Sequence, residues 1–235
     1  MTSTTQTSEE AETAVRSKRL VEIETELAGH SHRRVPRELR RRHLLELATQ
    51  LFSEKGYAAA SMDELAAHAG VSKPVVYDQF GSKEGVLVAV IDDLGEDLSR
   101  TVIEVSAGRT DPEELLREGS LAFYRFVGER ASTWAMAFGA VRALDTSSLA
   151  AAEKVAEIRA RQDGLVAGVL LASAKALGTE VAPLELSAVT RGLNGVYEGM
   201  VEWWQDHPDV SAEQLTEWTV ALVLPGLTAM AEGRA

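Results

Sequence analysis

The stretch from Ser61 to Lys83 constrains the fold more than any other. Ser61 is followed three residues on by Glu64, the pattern of a capping box, in which each side chain satisfies a backbone N–H that a helix start leaves unpaired. Gly70 ends the short helix that follows. Ser72 opens the next, with Pro74 in its first turn, where proline is tolerated. Gly81 ends that second helix, and Ser82 caps a long one. Leu65, Ala66, Val71, Val76 and Phe80 form a small apolar wedge between the two short helices. The helix before them starts at Pro36, places Leu44, Leu47, Ala48, Leu51 and Phe52 on one face, and stops at Gly56. Three helices in this order, with the last two joined by Ala69-Gly70-Val71, make a helix-turn-helix. Its second short helix presents Lys73, Pro74, Val75, Tyr77 and Asp78 near an exposed start. Ser72 and the helix-start amides there offer a dock for a phosphate.

The whole-chain charge seems to oppose nucleic acid, because 24 basic and 36 acidic side chains leave a formal −12 over 235 residues. The charge is unevenly placed. Residues 1–32 carry 3 basic and 6 acidic groups, net −3; residues 33–83 carry 9 and 6, net +3; residues 84–235 carry 12 and 24, net −12. A mildly basic reader precedes an acidic body, and screening over about 8 Å at physiological salt keeps the two apart electrostatically.

The remainder reads as helical too. Residues 11–28 suit a short amphipathic helix with Leu20, Ile23 and Leu27 on one side. Asp111-Pro112-Glu113-Glu114 is a helix start, Ser147 or Ser148 opens a long helix stopped by Gly178, Pro183 starts another, and Ser211 with Gln214 forms a second capping box. Eight or nine helices and little or no strand are expected. The fold class is all-α: a flexible N-terminal extension over 1–35, a three-helix reader over 36–82, and a larger helical domain over 83–235.

Residues 37–90 resemble the DNA-binding domain of the TetR (tetracycline-repressor) family of bacterial transcription regulators. The resemblance is carried by Ala48, Leu51-Phe52, Gly56-Tyr57, Ser61 through Ala66, Ala69 through Phe80, and Lys83 through Leu87. It implies that Lys73, Pro74 and Val75 enter the major groove, where a lysine donates to guanine O6/N7 and an apolar group touches a thymine methyl. It also implies phosphate contacts for Tyr77 and Lys83, and for Ser61 and Ser72 through hydroxyl and amide groups. Two positions depart from the family: Gln79 stands where many members have histidine, and Asp78 adds an acid beside the phosphate surface.

Plainer readings stand beside these. Tyr77 and Phe80 also suit core between the helices, and Lys83 also suits a solvated first turn. Arg40, Arg41 and Arg42 read as a solvated face, with Arg37 or Arg41 as the alternative phosphate contact. Arg33 and Arg34 form either a basic arm for the minor groove or plain disorder.

In the acidic body, Leu186, Val189, Leu193, Val196, Met200 and Trp203 recur in steps of three and four, flanked by Gly192, Gly195 and Gly199, which would permit close backbone approach. Leu215, Trp218 and Leu222 continue the pattern, with Leu224, up to Pro225, which should kink or weaken that helix. These stripes suit a homodimer seam, and packing inside one monomer is the alternative. The resemblance implies a four-helix interface here and a small-molecule effector cavity in the middle helices. Phe123, Phe126, Trp134, Met136, Phe138, Leu165, Val169 and Tyr197, with Tyr124 among them, are the candidates for a largely apolar ligand, and ordinary core is their plainer role.

The absence of cysteine removes disulfides, thiolate metal sites and cysteine nucleophiles. His30, His32, His43, His68 and His207 lack metal-ligand spacing, and no catalytic triad, phosphate loop or dinucleotide fingerprint appears, so neither enzyme activity nor a cofactor or metal is expected. The first residues lack the apolar core of a secretory signal, and no run approaches the roughly 18 apolar residues of a membrane helix, so a cytoplasmic chain is expected. The resulting expectation is a homodimeric, ligand-responsive regulator on a near-palindromic DNA operator, most simply a repressor released by a small apolar effector. An activator of the same fold, or a helical ligand-binding module with a non-functional helix-turn-helix, is the alternative.

Overall fold

Local signals at the helix ends are enough to place most of the secondary structure. The structure, a computed structural model, describes residues 19–30, 35–144, 149–176 and 178–233. Among these residues there are ten helices and no strand: α1 (19–28), α2 (Arg37–Ala59), α3 (Met62–His68), α4 (Lys73–Phe80), α5 (Lys83–Ser106), α6 (Pro112–Glu129), α7 (Ala131–Leu144), α8 (Leu149–Ala176), α9 (Pro183–Gln205) and α10 (Ala212–Ala231). Regular α2 breaks at Gly56, whose φ of 78° lies in the left-handed region, and one further turn leads to Ala59. α10 continues through Pro225 to Ala231. The expected opening of α8 at Ser147 or Ser148 lies outside the described residues.

The chain forms two compact units. Of the described residues, the first takes in those up to Leu94 together with those of Glu129–Ala156, and the second takes in Gly95–Gly128 and those from Glu157 onward. These units cut across the division expected at residues 82 and 83. The reason is packing: Val86, Leu87, Ala89 and Val90 on the first half of α5 are buried with the reader, and α7 lies along α2. Ser53 Oγ and Thr133 Oγ1, 3.1 Å apart, tie those two helices.

In the first unit, the expected α2 face (Leu44, Leu47, Ala48, Leu51, Phe52) is buried, as are Leu65, Ala66 and Val76 from α3 and α4. α1, from the N-terminal extension, inserts a fully buried Ile23. Arg19 on α1 pairs with Glu46 of α2 at 2.7 Å and with Asp93 of α5 at 3.3 Å, and Arg42 reaches Glu26 at 3.3 Å.

The second unit is built on Leu115, Tyr124, Phe126, Val127, Ile158, Leu193, Val201, Leu215 and Val220. Asp111 caps α6 by accepting from Glu114 N at 2.8 Å, and Ser211 and Gln214 close the second capping box on α10. A Cβ on Gly95 would lie 3.2 Å from Ile158 Cγ2, and one on Gly128 would lie 2.9 Å from Trp204 Cη2, so α5 and α6 approach their neighbours closely there. A polar layer crosses this core: Ser120 Oγ lies 2.6 Å from the Tyr197 hydroxyl, and the Tyr124 hydroxyl lies 2.6 Å from Thr219 Oγ1. Burial pushes the pKa of both tyrosines up.

Candidate nucleic-acid interface

The capping box that starts α3 is complete. Ser61 N donates to Glu64 Oε2 at 3.0 Å, and Glu64 N donates to Ser61 Oγ at 3.2 Å. The Ser61 hydroxyl spends its single proton on Glu64 Oε2 at 3.0 Å, so a phosphate would have to displace Glu64 to receive it. Lys55 Nζ grips the other carboxylate oxygen at 2.6 Å. The Lys55 hydrogen bond, followed by that from Ser61, holds the Glu64 carboxyl below the usual carboxylate range.

The candidate recognition face sits on α4. Val76 is fully buried and anchors the helix, while Lys73, Pro74, Tyr77 and Asp78 are exposed and Val75 is half-buried. Tyr77, at 41% exposure, is a surface ring rather than core, and Phe80 is half-buried. Ser72 begins the helix without a side-chain cap bond and is exposed, which leaves its hydroxyl available. Lys73 Nζ donates to Asp63 Oδ2 at 2.9 Å and stands 5.9 Å from the centre of the Tyr77 ring. The hydrogen bond to Asp63 raises the lysine pKa above its ordinary value. Lys83 Nζ donates to the Ala58 carbonyl at 3.0 Å and lies 4.6 Å over the Tyr57 ring. An ammonium has three donors, so this contact does not exhaust it. Burial, then the nearby Glu84 charge, raises the Tyr57 pKa.

Three structural features of this surface are absent from the sequence expectations. Arg37 Nη2 donates to the Asp78 carbonyl at 3.5 Å, and Arg41 Nη1 donates to the Gln79 carbonyl at 3.3 Å. Two cations therefore sit at the partially negative end of α4, where they favour the helix dipole. The Arg41 guanidinium also lies 4.9 Å over the Phe80 ring. These contacts give Arg37 and Arg41 a task in holding α4, in place of a purely solvated face. The third feature is Gly85, where a Cβ would lie 2.0 Å from the Phe80 carbonyl oxygen, so the α4–α5 corner requires glycine. Only the proximity of Arg37 and Arg41 to a helix-turn-helix hinted at the first two, and nothing local marked Gly85.

Other sequence candidates are distributed as follows. Arg33 and Arg34 lie outside the described residues, and so does the side chain of Phe138. Trp134, buried, and Met136, half-buried, stand on α7 in the first unit, while Phe123, Phe126, Leu165, Val169 and Tyr197 belong to the second. Phe123 and Tyr197 meet edge to face with centroids 5.0 Å apart. The expected dimer seam divides. Leu193 and Leu215 are buried core of the second unit. Leu186, Val189, Val196 and Met200 are half-buried. Trp203, Trp218 and Leu222 are exposed; the two tryptophan rings meet at 6.0 Å, and Trp203 stacks on His207. Apart from the backbone of its own helix and its chain neighbours, nothing stands within 4 Å of where a Cβ would be on Gly192, Gly195 or Gly199. Among the described residues, no group of three or more histidine or carboxylate side chains could hold a metal ion, and no helix is long and apolar enough to cross a membrane.

The family model for bacterial regulatory proteins of the tetR family matches residues 44–90, the stretch that holds most of α2, all of α3 and α4, and the start of α5. Residues 44–90 are thus a DNA-binding region of the tetR-family type. Similarity to other regulators extends well beyond the reader. The transcriptional activator FasR of Mycolicibacterium smegmatis is 29% identical over 205 residues, spanning 86% of this chain and 90% of FasR. The TetR-family regulator PfmR of Thermus thermophilus superposes with a TM-score of 0.60 at 26% identity, over 77% of this chain and 97% of PfmR. A shorter match, to the transcriptional repressor DhaR of a Mycobacterium strain, is 39% identical over 62 residues, 26% of this chain and 31% of DhaR. The chain therefore carries a tetR-type helix-turn-helix reader, followed by a helical second unit, and is similar over most of its length to DNA-binding transcriptional regulators.

Proposed function

We propose that the protein acts as a homodimer that docks α4 of each subunit in a major groove of a near-palindromic operator and responds to a small, largely apolar effector. The observation that carries this reading is the division of α4: Val76 buried against the reader, Lys73, Pro74 and Tyr77 exposed on the opposite side. Lys73, Pro74 and Val75 read base edges. Tyr77, Lys83 and the free Ser72 hydroxyl hold phosphates, and Ser61 contributes mainly by starting α3. Two such helices reach successive grooves when they stand about 34–36 Å apart, which requires a dimer. The exposed apolar face of α9 and α10 (Leu184, Trp203, Trp218, Leu222) supports self-association through that surface. A regulator working on DNA in this way belongs in the cytoplasm and needs no catalytic group.

The effector is assigned to the second unit, near Phe123, Phe126, Leu165, Val169 and Tyr197. α5 runs through the boundary of the two units at Leu94–Gly95 and leads directly from the corner after α4, so among the crossings it is the one assigned to carry ligand binding to the reader. The coupling equals the effector's differential affinity for the DNA-competent and released states, and no more. Release from an operator that blocks a promoter gives repression. FasR, the relative matched over most of this chain, is named an activator, which favours the second reading, in which the same docking recruits transcription.

The test uses the duplex recovered by genome-wide pulldown with the wild-type chain. Lys73→Ala and Tyr77→Ala should each lower affinity for it, Lys73→Ala by about tenfold. Unchanged affinity and salt dependence in both variants would refute groove docking by α4 and leave the helix-turn-helix without a DNA role.

A further inference from the structure

We propose that Asp63 is a specificity-determining positioning residue, which keeps the Lys73 ammonium from non-specific phosphates and yields it to a base edge that replaces the carboxylate. The inference deepens the α4 docking above and rests on it. The two carboxylates in the first turn of α3 do different things. Glu64 is bound into the capping box and to Lys55, so it serves the local fold. Asp63 takes no part in the box and reaches across to the first residue of α4, 2.9 Å from Lys73 Nζ. Both side chains of that pair are open to solvent, Lys73 at 49% and Asp63 at 68%, so burial does not force them together.

This placement has two consequences for a polyanion approaching α4. A lysine already neutralised by a carboxylate carries few counterions to release, so it adds little to non-specific affinity, which counterion release dominates. The Asp63 carboxylate itself stands on the side of α3 from which it reaches α4, and it repels phosphates held near Lys73. Exposed ion pairs are weak, so the pair yields to a good acceptor set such as guanine O6/N7. A sequence lacking that acceptor leaves Lys73 with Asp63. Discrimination therefore comes from a competition inside the reader as well as from contact with the base.

Asp63→Asn retains the capping box and keeps a side chain of the same size, so the fold is expected to persist; a circular dichroism melt verifies it. The measurement is affinity over a salt series for two probes: the duplex recovered with wild type, and a scrambled duplex of equal length and composition. Asp63→Asn should bind the scrambled duplex about two- to fivefold more tightly. Its salt dependence should steepen by about one released ion. The recovered duplex should gain less, so the ratio of affinities falls. In a Lys73→Ala background the gain from Asp63→Asn should shrink to the smaller part that comes from direct relief of phosphate repulsion. An equal gain on both duplexes, a gain undiminished by Lys73→Ala, or no gain at all while wild type discriminates normally overturns the inference alone. Wild type that binds neither duplex overturns the docking reading and this inference with it.

Discussion

The two units of this chain expose different things. The first unit leaves few large apolar side chains open: Tyr77 on α4 and Val21 on α1 are the exposed ones among its described residues. The second unit leaves Leu184, Trp203, Trp218 and Leu222 open on α9 and α10, even though Leu193 and Leu215 in the same stripes are buried. Charge divides along the sequence rather than between the units, with net +3 over residues 33–83 and −12 over 84–235, a range that includes parts of the first unit. A surface that meets a polyanion is made of polar and cationic groups around one ring. A surface suited to a second copy of the chain is apolar. Exposure therefore discriminates between partners better than sequence periodicity does.

The largest test sets two leucines of α10 against each other. Leu215→Ala, at a fully buried site, should cost about 2–5 kcal/mol in chemical denaturation. Leu222→Arg, at 63% exposure, should leave the unfolding of the subunit within about 0.5 kcal/mol and should shift the sedimentation profile from dimer to monomer. If Leu222→Arg unfolds the chain as readily as Leu215→Ala, that face is core, and the contrast between the units collapses.

A smaller effect is expected at the corner of the reader. Gly85→Ala places a methyl against the Phe80 carbonyl and should destabilise the first unit by about 1–3 kcal/mol, with weaker operator binding. A neutral melt would show that the corner relaxes freely. Ser61→Ala should cost about 1 kcal/mol by removing the α3 cap, measured by thermal unfolding; an unchanged Tm would mean that packing of Leu65 and Ala66 alone sets that helix.

The smallest effect depends on pH. Burial depresses the His43 pKa below 6.5, with Glu24, whose carboxylate lies 4.0 Å away, opposing the shift. The unfolded chain then binds more protons than the folded one once pH drops below 6.5. The stability contributed by neutral His43 is present above that pH and is lost as pH falls through the lower folded value. The slope of stability against pH in this range should shrink in His43→Gln, and an identical slope would assign the effect to other groups.

How much was legible depends on how far each signal reaches along the chain. Caps act over three or four residues, so Ser61 with Glu64, Gly70, Gly81 and Ser211 with Gln214 marked the helix ends from sequence alone. The α2 face was legible because a helical period names the residues that share a side. The same period names no partner. It could not separate Leu215, which meets the core, from Leu222, which meets solvent. It also could not assign Trp134 and Met136 to the first unit with α7. Arg41 over Phe80 joins helices far apart in sequence, so no short window contains the reason for it. Phe80 and Gly85 are near neighbours in sequence, but their close approach is set by the backbone path of the α4–α5 corner, which no residue type there spells out.

By itself, the sequence determined an all-helical chain, a helix-turn-helix between Ser61 and Lys83, and a family resemblance carried by those same residues. These follow from hydrogen-bond satisfaction and backbone freedom within single turns. Tertiary structure alone decided which side of α9 and α10 stays open, that α1 docks Ile23 and bridges α2 to α5 through Arg19, and that Lys73 rests on Asp63. Each of those depends on groups that are distant along the chain and that only folding brings within a few ångströms.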